Sequence, residues 1–350
     1  MTRLLGVLAA LALLLAAPAA SARGARGAWS WNSAGTARGG QWQGFSPSWS
    51  PSSVIWLRAD SGVTAVAGPV TATGTTPPTV TLAGTPTAAQ TSAATPYVEL
   101  DCTTLGILGT SEYTLKLNGA TVATNVASAS SGVSIPGSGL TAGWAAGTSA
   151  VNDVYTANVV TSTWADQSGA GHNVTQGTAA NQPIVAANAS FGGCPAITGN
   201  GTSDSMAATY TLVQPSEVFI VAAWATTTGV QTLFDGATNN SGQVYVNGSS
   251  VVVYRAGSGS SWTGTPTAVH AYDFCFDLSA SFAYQDGILK ASGGSNLTTT
   301  IGGITLLQSG GGFATASIAE VFEGASLIDP SNRARLVTYA GNRYGIAVTP

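Results

Sequence analysis

Charge is what this chain has least of. Only 7% of its 350 residues are Asp, Glu, Lys or Arg, against roughly 25% in an ordinary globular domain. Its 11 basic residues are scattered, whereas binding a polyanion by counterion release needs them clustered, so a nucleic-acid surface is excluded. Histidine is nearly missing: only His172 and His270 could act as general base, and no G-x-S-x-G elbow is there to hold a nucleophile, which argues against serine or cysteine hydrolysis. Cysteine is thin, at 3 residues, with no C-x-x-C and no Cys/His cluster, so the ligand pattern of structural zinc is absent. Beyond residue 22 no apolar run is long enough to cross a bilayer.

The N-terminus does carry such a run. Met1-Thr-Arg3 is a short positive start, Leu4 to Ala20 is apolar, and Ala20-Ser-Ala22 offers a small-residue cleavage site before Arg23. This pattern predicts a signal peptide over 1–22. The run is at the short limit for a membrane span, and Arg23 and Arg26 on its far side disfavour a retained anchor. A secreted or cell-surface protein is expected, with no stable membrane insertion after cleavage. Residues 23–50, with Trp29, Trp31, Trp42 and Trp49 among Gly, Ser, Gln and Pro, show no sustained period and read as a linker whose tryptophans pack on the following sheet or present a platform for sugar rings.

The remainder is strand and turn. Pro78–Leu82, Tyr97–Asp101 and Glu112–Leu117 alternate at period two, and Asn118-Gly119 is a hairpin signal. Tyr113, Leu115 and Leu117 fall on one face, leaving Glu112, Thr114 and Lys116 toward water. The second half has longer strands. Val218–Trp224 is apolar on both faces, as in a strand covered on each side; Asn247-Gly248 and Asp286-Gly287 mark further hairpins. One helix is punctuated near the C-terminus, with Asp329 as N-cap, Pro330 at the first position, an apolar stripe of Leu336, Val337 and Ala340, and Gly341 as stop. It is expected to cover a sheet face or edge.

Several segments form an ordered series: Pro51 to Thr64 (with V-I-W-L-R-A-D-S-G-V-T), Trp164-Ala-Asp-Gln-Ser-Gly-Ala-Gly-His-Asn173, Ala180-Asn-Gln-Pro183, Gly199–Met206, Tyr284–Ala291, and Ile318–Phe322 closing on Tyr339–Ile346. This series resembles concanavalin A-like, laminin-G-type lectin domains of bacterial secreted and phage tail proteins, over residues 51–70 and 159–350. The match stops at Thr64 and resumes at Thr163, and the intervening 71–158 resembles an inserted immunoglobulin-like domain. The resemblance implies an all-β fold: a concanavalin A-like jelly-roll β-sandwich interrupted by a smaller immunoglobulin-like β-sandwich, with one short C-terminal helix. It implies binding more often than catalysis. Since Cys102 falls in the insert, Cys194 with Cys275 is the plausible internal bridge; the alternative is three small buried thiols.

Catalysis finds little footing. The clustered Glu-x-Asp-x-x-Glu of the glucanases sharing this fold is missing. Glycoside hydrolysis needs two carboxyls roughly 5 to 9.5 Å apart; Glu320 and Glu323 point to opposite faces of a strand, and Asp273 and Asp277 lie about 13 Å apart. His270 alternates with Tyr272, Phe274 and Phe276 and is expected at the core or rim, with Asp273, Cys275 and Asp277 on a solvated or partly covered face. His172 is expected in an exposed turn. Calcium is the ion that suits loop oxygens, with Asp204, Asp235, Asn239 and the adjacent Asn240 as candidate ligands; the alternative is that these residues, like Asp166, stabilise turns through their own backbone. Recognition of a glycan needs an apolar face and a few polar groups, and Tyr245, Asn247, Tyr254, Arg255 and Trp262, gathered around one hairpin and its loop, are the expected contacts. Packing within the strands is the alternative for Tyr254 and Trp262. Asn173, Asn188, Asn200, Asn239, Asn247 and Asn296 match the N-glycosylation pattern, which matters only in a host that glycosylates secreted proteins.

The expected function is a non-enzymatic, exported surface-adhesion or carbohydrate-binding protein whose partner is a glycan or cell-surface polysaccharide. The alternatives are a structural component of a phage tail or surface appendage, and a polysaccharide-cleaving enzyme.

Overall fold

The computed structural model describes residues 53–75, 77–91, 93–94, 96–293, 300–310 and 312–350, with the backbone of Ser30–Trp31 and Ala37–Arg38. The chain divides into two units, Met1–Gly44 and Phe45–Pro350. In the first, Ser30–Trp31 pairs antiparallel with Ala37–Arg38. The expected signal peptide, Asn296, and the rest of the tryptophan-bearing stretch lie outside the described residues.

The second unit is an all-β sandwich with one C-terminal helix. Its principal strands are β1 (Ser53–Arg58), β2 (Val63–Ala67), β3 (Val154–Trp164), β4 (Ser216–Trp224), β5 (Gln231–Asp235), β6 (Gln243–Val246), β7 (Val251–Ala256), β8 (Ser258–Thr263), β9 (His270–Phe276), β10 (Phe282–Gln285) and β11 (Ala316–Gly324). One sheet runs β1-β11-β4-β9-β10 and ends on Ile288–Ser292. The other runs β2-β3, Val174–Thr175, Met206–Thr209, Gly303–Leu306, then β5-β6-β7-β8. All these pairings are antiparallel. Ile184–Ala187 and Pro195–Thr198 bridge the two sheets along one edge.

The period-two alternation of each strand decides what it buries. In β4, Val218, Ile220, Ala222 and Trp224 enter the core between the sheets, meeting Val244, Val246, Val252 and Tyr254. Phe219 and Val221 point the other way, beneath Leu336, Val337 and Ala340 of the helix Pro330–Tyr344. The two-sided apolar character of β4 is therefore explained by a sheet in front and a helix behind. The Asp329 carboxylate caps that helix, accepting from Ser331 N (3.0 Å) and Asn332 N (3.1 Å). Gly341 does not stop it: the helix continues to Tyr344 and ends at Gly345 with φ of 72°, because it is Gly345 that supplies the left-handed residue.

Residues 71–158 surround a core of their own, with Val98, Leu100, Cys102, Tyr113, Leu115, Ile135, Leu140, Trp144 and Tyr155. Tyr97–Thr104, Glu112–Leu117 and Ala120–Ala127 form one side with Thr71–Thr73; Val80–Gly84, Leu140–Trp144 and Val133–Ile135 form the other. Asn118 and Gly119 adopt φ of 52° and 84°, the type I′ hairpin. β3 belongs to both cores. Its first half pairs with Tyr97–Thr104 and its second half with β2, so one crossing between the two parts is an unbroken strand.

The interrupted motif closes in space. Trp56 N donates to Asp166 Oδ1 (2.9 Å) and Gln167 N to Trp56 O (2.7 Å), which lays the loop after β3 along the edge strand β1. Asp166 also accepts from Ser168 N, Gly171 N and His172 N. Burial pushes its carboxyl up, but the N–H groups of Trp56, Ser168 and His172 outweigh that and hold it below the usual range. This is the turn-stabilising use expected of it. All three cysteines are free, so Cys194 and Cys275 are not bridged: Cys194 Sγ lies by Arg343 O and Cys275 Sγ by Arg333.

Candidate functional site

The helix covers the outside of the first sheet; among the described residues, the outside of the second stays open over β6, β7 and β8. Val244, Val246, Val252, Tyr254 and Ala256 point into the core, which leaves Tyr245, Val251, Val253 and Arg255 half-exposed on the outer face, beside exposed Ser261 and Thr263. Opposite Arg255 stands Gly259. A Cβ there would come within 2.6 Å of Tyr254 O and 2.7 Å of Arg255 Cβ, so this close approach requires glycine.

Arg255 is held from three directions. Its Nε donates to Gln243 Oε1 (2.7 Å) and its Nη2 to Asn240 Oδ1 (2.5 Å), while its guanidinium carbon sits 5.1 Å from the centre of the Tyr245 ring. Gln243 is itself anchored through Nε2 to Thr232 Oγ1 (3.3 Å). The face therefore presents an aromatic edge, a fixed guanidinium and flanking hydroxyls, with no carboxylate among the described residues in contact with the arginine.

Of the expected glycan contacts, Tyr245 and Arg255 meet on this face, and Asn247 is exposed at the end of the same hairpin, its Oδ1 accepting from Ser249 N (3.3 Å). Tyr254 and Trp262 are corrected: Tyr254 is 0% and Trp262 9% exposed. Tyr254 packs 6.0 Å from Phe274, and Trp262 donates from Nε1 to Gln285 Oε1 (3.0 Å). Strand alternation sends both rings inward, so neither offers a face to a ligand.

Of the calcium candidates, Asp235 is engaged by its own loop. Asp235 Oδ1 accepts from the N–H groups of Gly236, Ser241 and Gly242, and Oδ2 from Asn240 N and Ser309 Oγ. Donors fill the lone pairs a cation would need. Asn239 Oδ1 joins Asp235 only through the same Ser309 hydroxyl (2.7 Å). Asp204 belongs to a different turn, accepts from Asn200 N (3.0 Å), and is pushed by burial up to about 6.

The face of β9 bearing Asp273 and Cys275 is not solvated. Both are buried with Glu217, close enough together to suit a metal ion, yet the position is filled by Arg333 of the helix: Nε donates to Asp273 Oδ2 (2.6 Å), Nη2 to Glu217 Oε1 (2.9 Å) and to Cys275 Sγ (3.5 Å). Burial and the neighbouring Asp273 push Glu217 well above the usual carboxylate range. Glu320 and Glu323 do point apart. Glu320 accepts from Trp56 Nε1, Tyr339 OH and Tyr344 OH under the helix, whereas Glu323 accepts from Tyr210 OH. His172 is less exposed than a free turn residue, its ring centre 4.5 Å from that of Tyr210. His270 is a rim residue, with Nδ1 2.6 Å from Asp286 Oδ2.

Sequence reasoning missed the Arg333 cluster and the phenols around Glu320. The signal was the helical stripe itself: Arg333, Arg343 and Tyr344 share the face of Leu336, Val337 and Ala340, and basic residues on an apolar stripe call for buried acids opposite.

No protein-family model matches the chain, and no curated protein does. Among solved structures it is similar to the receptor-binding domain of botulinum neurotoxin type G (11% identity, 50% of this chain and 48% of that one, TM-score 0.39). It is also similar to a botulinum neurotoxin type C structure described by its cell entry through two ganglioside molecules (12%, 51% and 48%, TM-score 0.39). A third is the binding domain of Paraclostridial Mosquitocidal Protein 1 (12%, 50% and 49%, TM-score 0.40). The chain spans about half the length of each. A likeness of this size assigns neither ligand nor activity.

Proposed function

We propose that this chain is a non-enzymatic, exported carbohydrate-binding or surface-adhesion protein of the concanavalin A-like, laminin-G type, and that it binds glycan on the outer face of β6–β8. The observation that carries the reading is the Tyr245–Arg255 pair, fixed by Gln243 and Asn240 on an open sheet face of otherwise small and neutral side chains. An amphipathic ring supplies apolar contact while rigid donors select hydroxyl positions. The non-catalytic part is supported by how these acids of the lectin-like part are engaged: buried Glu217 and Asp273 with Arg333, Glu320 with Tyr339 and Tyr344, Glu323 with Tyr210, and half-buried Asp286 with His270.

Residues 71–158 act as an inserted immunoglobulin-like spacer or second contact surface. Their separate core and the continuity of β3 support this: a strand shared by both parts resists rotation where a flexible linker would permit it.

A glycan array probed with the purified protein, in calcium and in chelator, tests the reading. Binding that Tyr245→Ala weakens without shifting the unfolding midpoint is the expected result. Silence across the array in both conditions would refute it, and release of new reducing ends from any bound polysaccharide would refute the non-catalytic part.

A further inference from the structure

We infer that the Tyr245–Arg255 face selects sugars carrying an oxyanion, a carboxylate or a sulfate, over neutral ones; this rests on the proposed glycan-binding role of that face. The inference comes from how this protein treats its cations. Arg58 pairs with Asp60, Arg333 with Glu217 and Asp273, Arg343 with Asp60, and Lys116 with Glu99 and Asp101. Arg255 does not follow them, and unlike Lys290, which is exposed and also carries no ion pair among the described residues, it is held in place by neutral groups. Its acceptors are the neutral amide oxygens of Gln243 and Asn240, so its charge is oriented without being neutralised.

The acid on the neighbouring loop does not compensate, because Asp235 is turned onto the N–H groups of its own loop and forms no ion pair with Arg255. That loop instead prepares the arginine. Asp235 Oδ2 accepts from Asn240 N (2.7 Å), Asn240 sits at φ of 66°, and its side-chain oxygen receives the Arg255 Nη2 hydrogen. On the other side Thr232 Oγ1 anchors Gln243. These two amides take Nε and one Nη2 hydrogen, leaving the Nη1 pair and the second Nη2 hydrogen without a protein acceptor among the described residues. Those hydrogens are the donors left to meet the oxygens of a carboxylate or sulfate. A guanidinium already fixed by two bonds and a ring loses little further freedom on binding, so its selectivity is expressed at low entropic cost.

The test compares matched polysaccharides by calorimetry with the full protein: polygalacturonate against its fully methyl-esterified form, and dextran sulfate against dextran. At least one acidic chain should bind about ten-fold or more tightly than its neutral counterpart, the worth of one charge-assisted hydrogen bond. Whichever acid is preferred identifies the oxyanion. Arg255→Gln should bring the acidic chain down to the neutral level with an unchanged unfolding midpoint, and Arg255→Lys, which keeps the charge but not the guanidinium, should restore part of the difference. Equal affinity for acidic and neutral chains, or a preference that survives Arg255→Gln, overturns the inference while leaving glycan binding intact. Absence of binding to all four polysaccharides, together with silence on the array, overturns the glycan-binding reading itself and this inference with it.

Discussion

Replacing Glu323 with glutamine should make the fold more stable, and increasingly so as pH rises. Glu323 is 1% exposed on the side of β11 facing Tyr210, whose hydroxyl it accepts. Burial pushes its carboxyl from the ordinary 4.5 up to about 8. Below about pH 4.5 the group is protonated in folded and unfolded chains alike and contributes no pH dependence. Between about 4.5 and 8 the folded chain retains a proton that the unfolded chain has released, so stability falls as pH increases. At 1.36 kcal/mol per pH unit, about 3 kcal/mol is lost by pH 7 and at most about 5 kcal/mol by pH 8, where the slope vanishes. Glutamine stays neutral throughout and can still accept from Tyr210. Buried Glu217 and Glu320, also raised, give both proteins the same background, so the difference between variant and wild type isolates Glu323. Urea unfolding followed by tryptophan fluorescence at pH 5, 6, 7 and 8 reads it directly: Glu323→Gln should gain on the wild type by about 1.4 kcal/mol for each pH unit. In thermal scans the full effect amounts to roughly 8 °C, taking about 2.1 cal/mol/K per residue over about 300 residues. Parallel stability profiles for the two proteins would refute the assignment of a buried, protonated carboxyl.

Arg333→Met should cost about 3–5 kcal/mol at neutral pH by leaving Glu217 and Asp273 buried together without their cation; adding Glu217→Gln and Asp273→Asn should recover most of it in urea unfolding, and no recovery would contradict the pairing. Trp262→Ala should destabilise by about 3–5 kcal/mol, as a core truncation does. If instead it abolished glycan binding with no change in unfolding midpoint, Trp262 would belong to the ligand face after all. Millimolar calcium should leave the melting temperature where chelator leaves it, since backbone donors already occupy Asp235; a calcium-dependent rise removed by Asp235→Asn would overturn that account.

The sequence alone determined the all-β class, the two-sided burial of β4, the hairpins at Asn118-Gly119 and Asp286-Gly287, and the start of the C-terminal helix. These are local matters: side-chain alternation, positive-φ residues and an N-cap act within a few residues of where they are read. It also determined that Glu320 and Glu323 point apart, because one strand's geometry settles that. What only the tertiary structure decided concerns partners far apart in the chain. Tyr254 and Trp262 look alike in sequence to an exposed aromatic pair beside a glycine-rich loop, and they became core because β4 and β9 pack across from them. Asp273 and Cys275 read as a solvated or partly covered face, and the helix buried them by laying Arg333 on them, across 60 residues of chain. Asp235 resembled a calcium ligand by residue type, while its lone pairs were filled by the N–H groups of the loop it folds. Burial and hydrogen-bond satisfaction are properties of the assembled layers, so composition and spacing could nominate Tyr245 and Arg255 together with Tyr254 and Trp262, but only the packing of one sheet against the other could separate the exposed pair from the buried one.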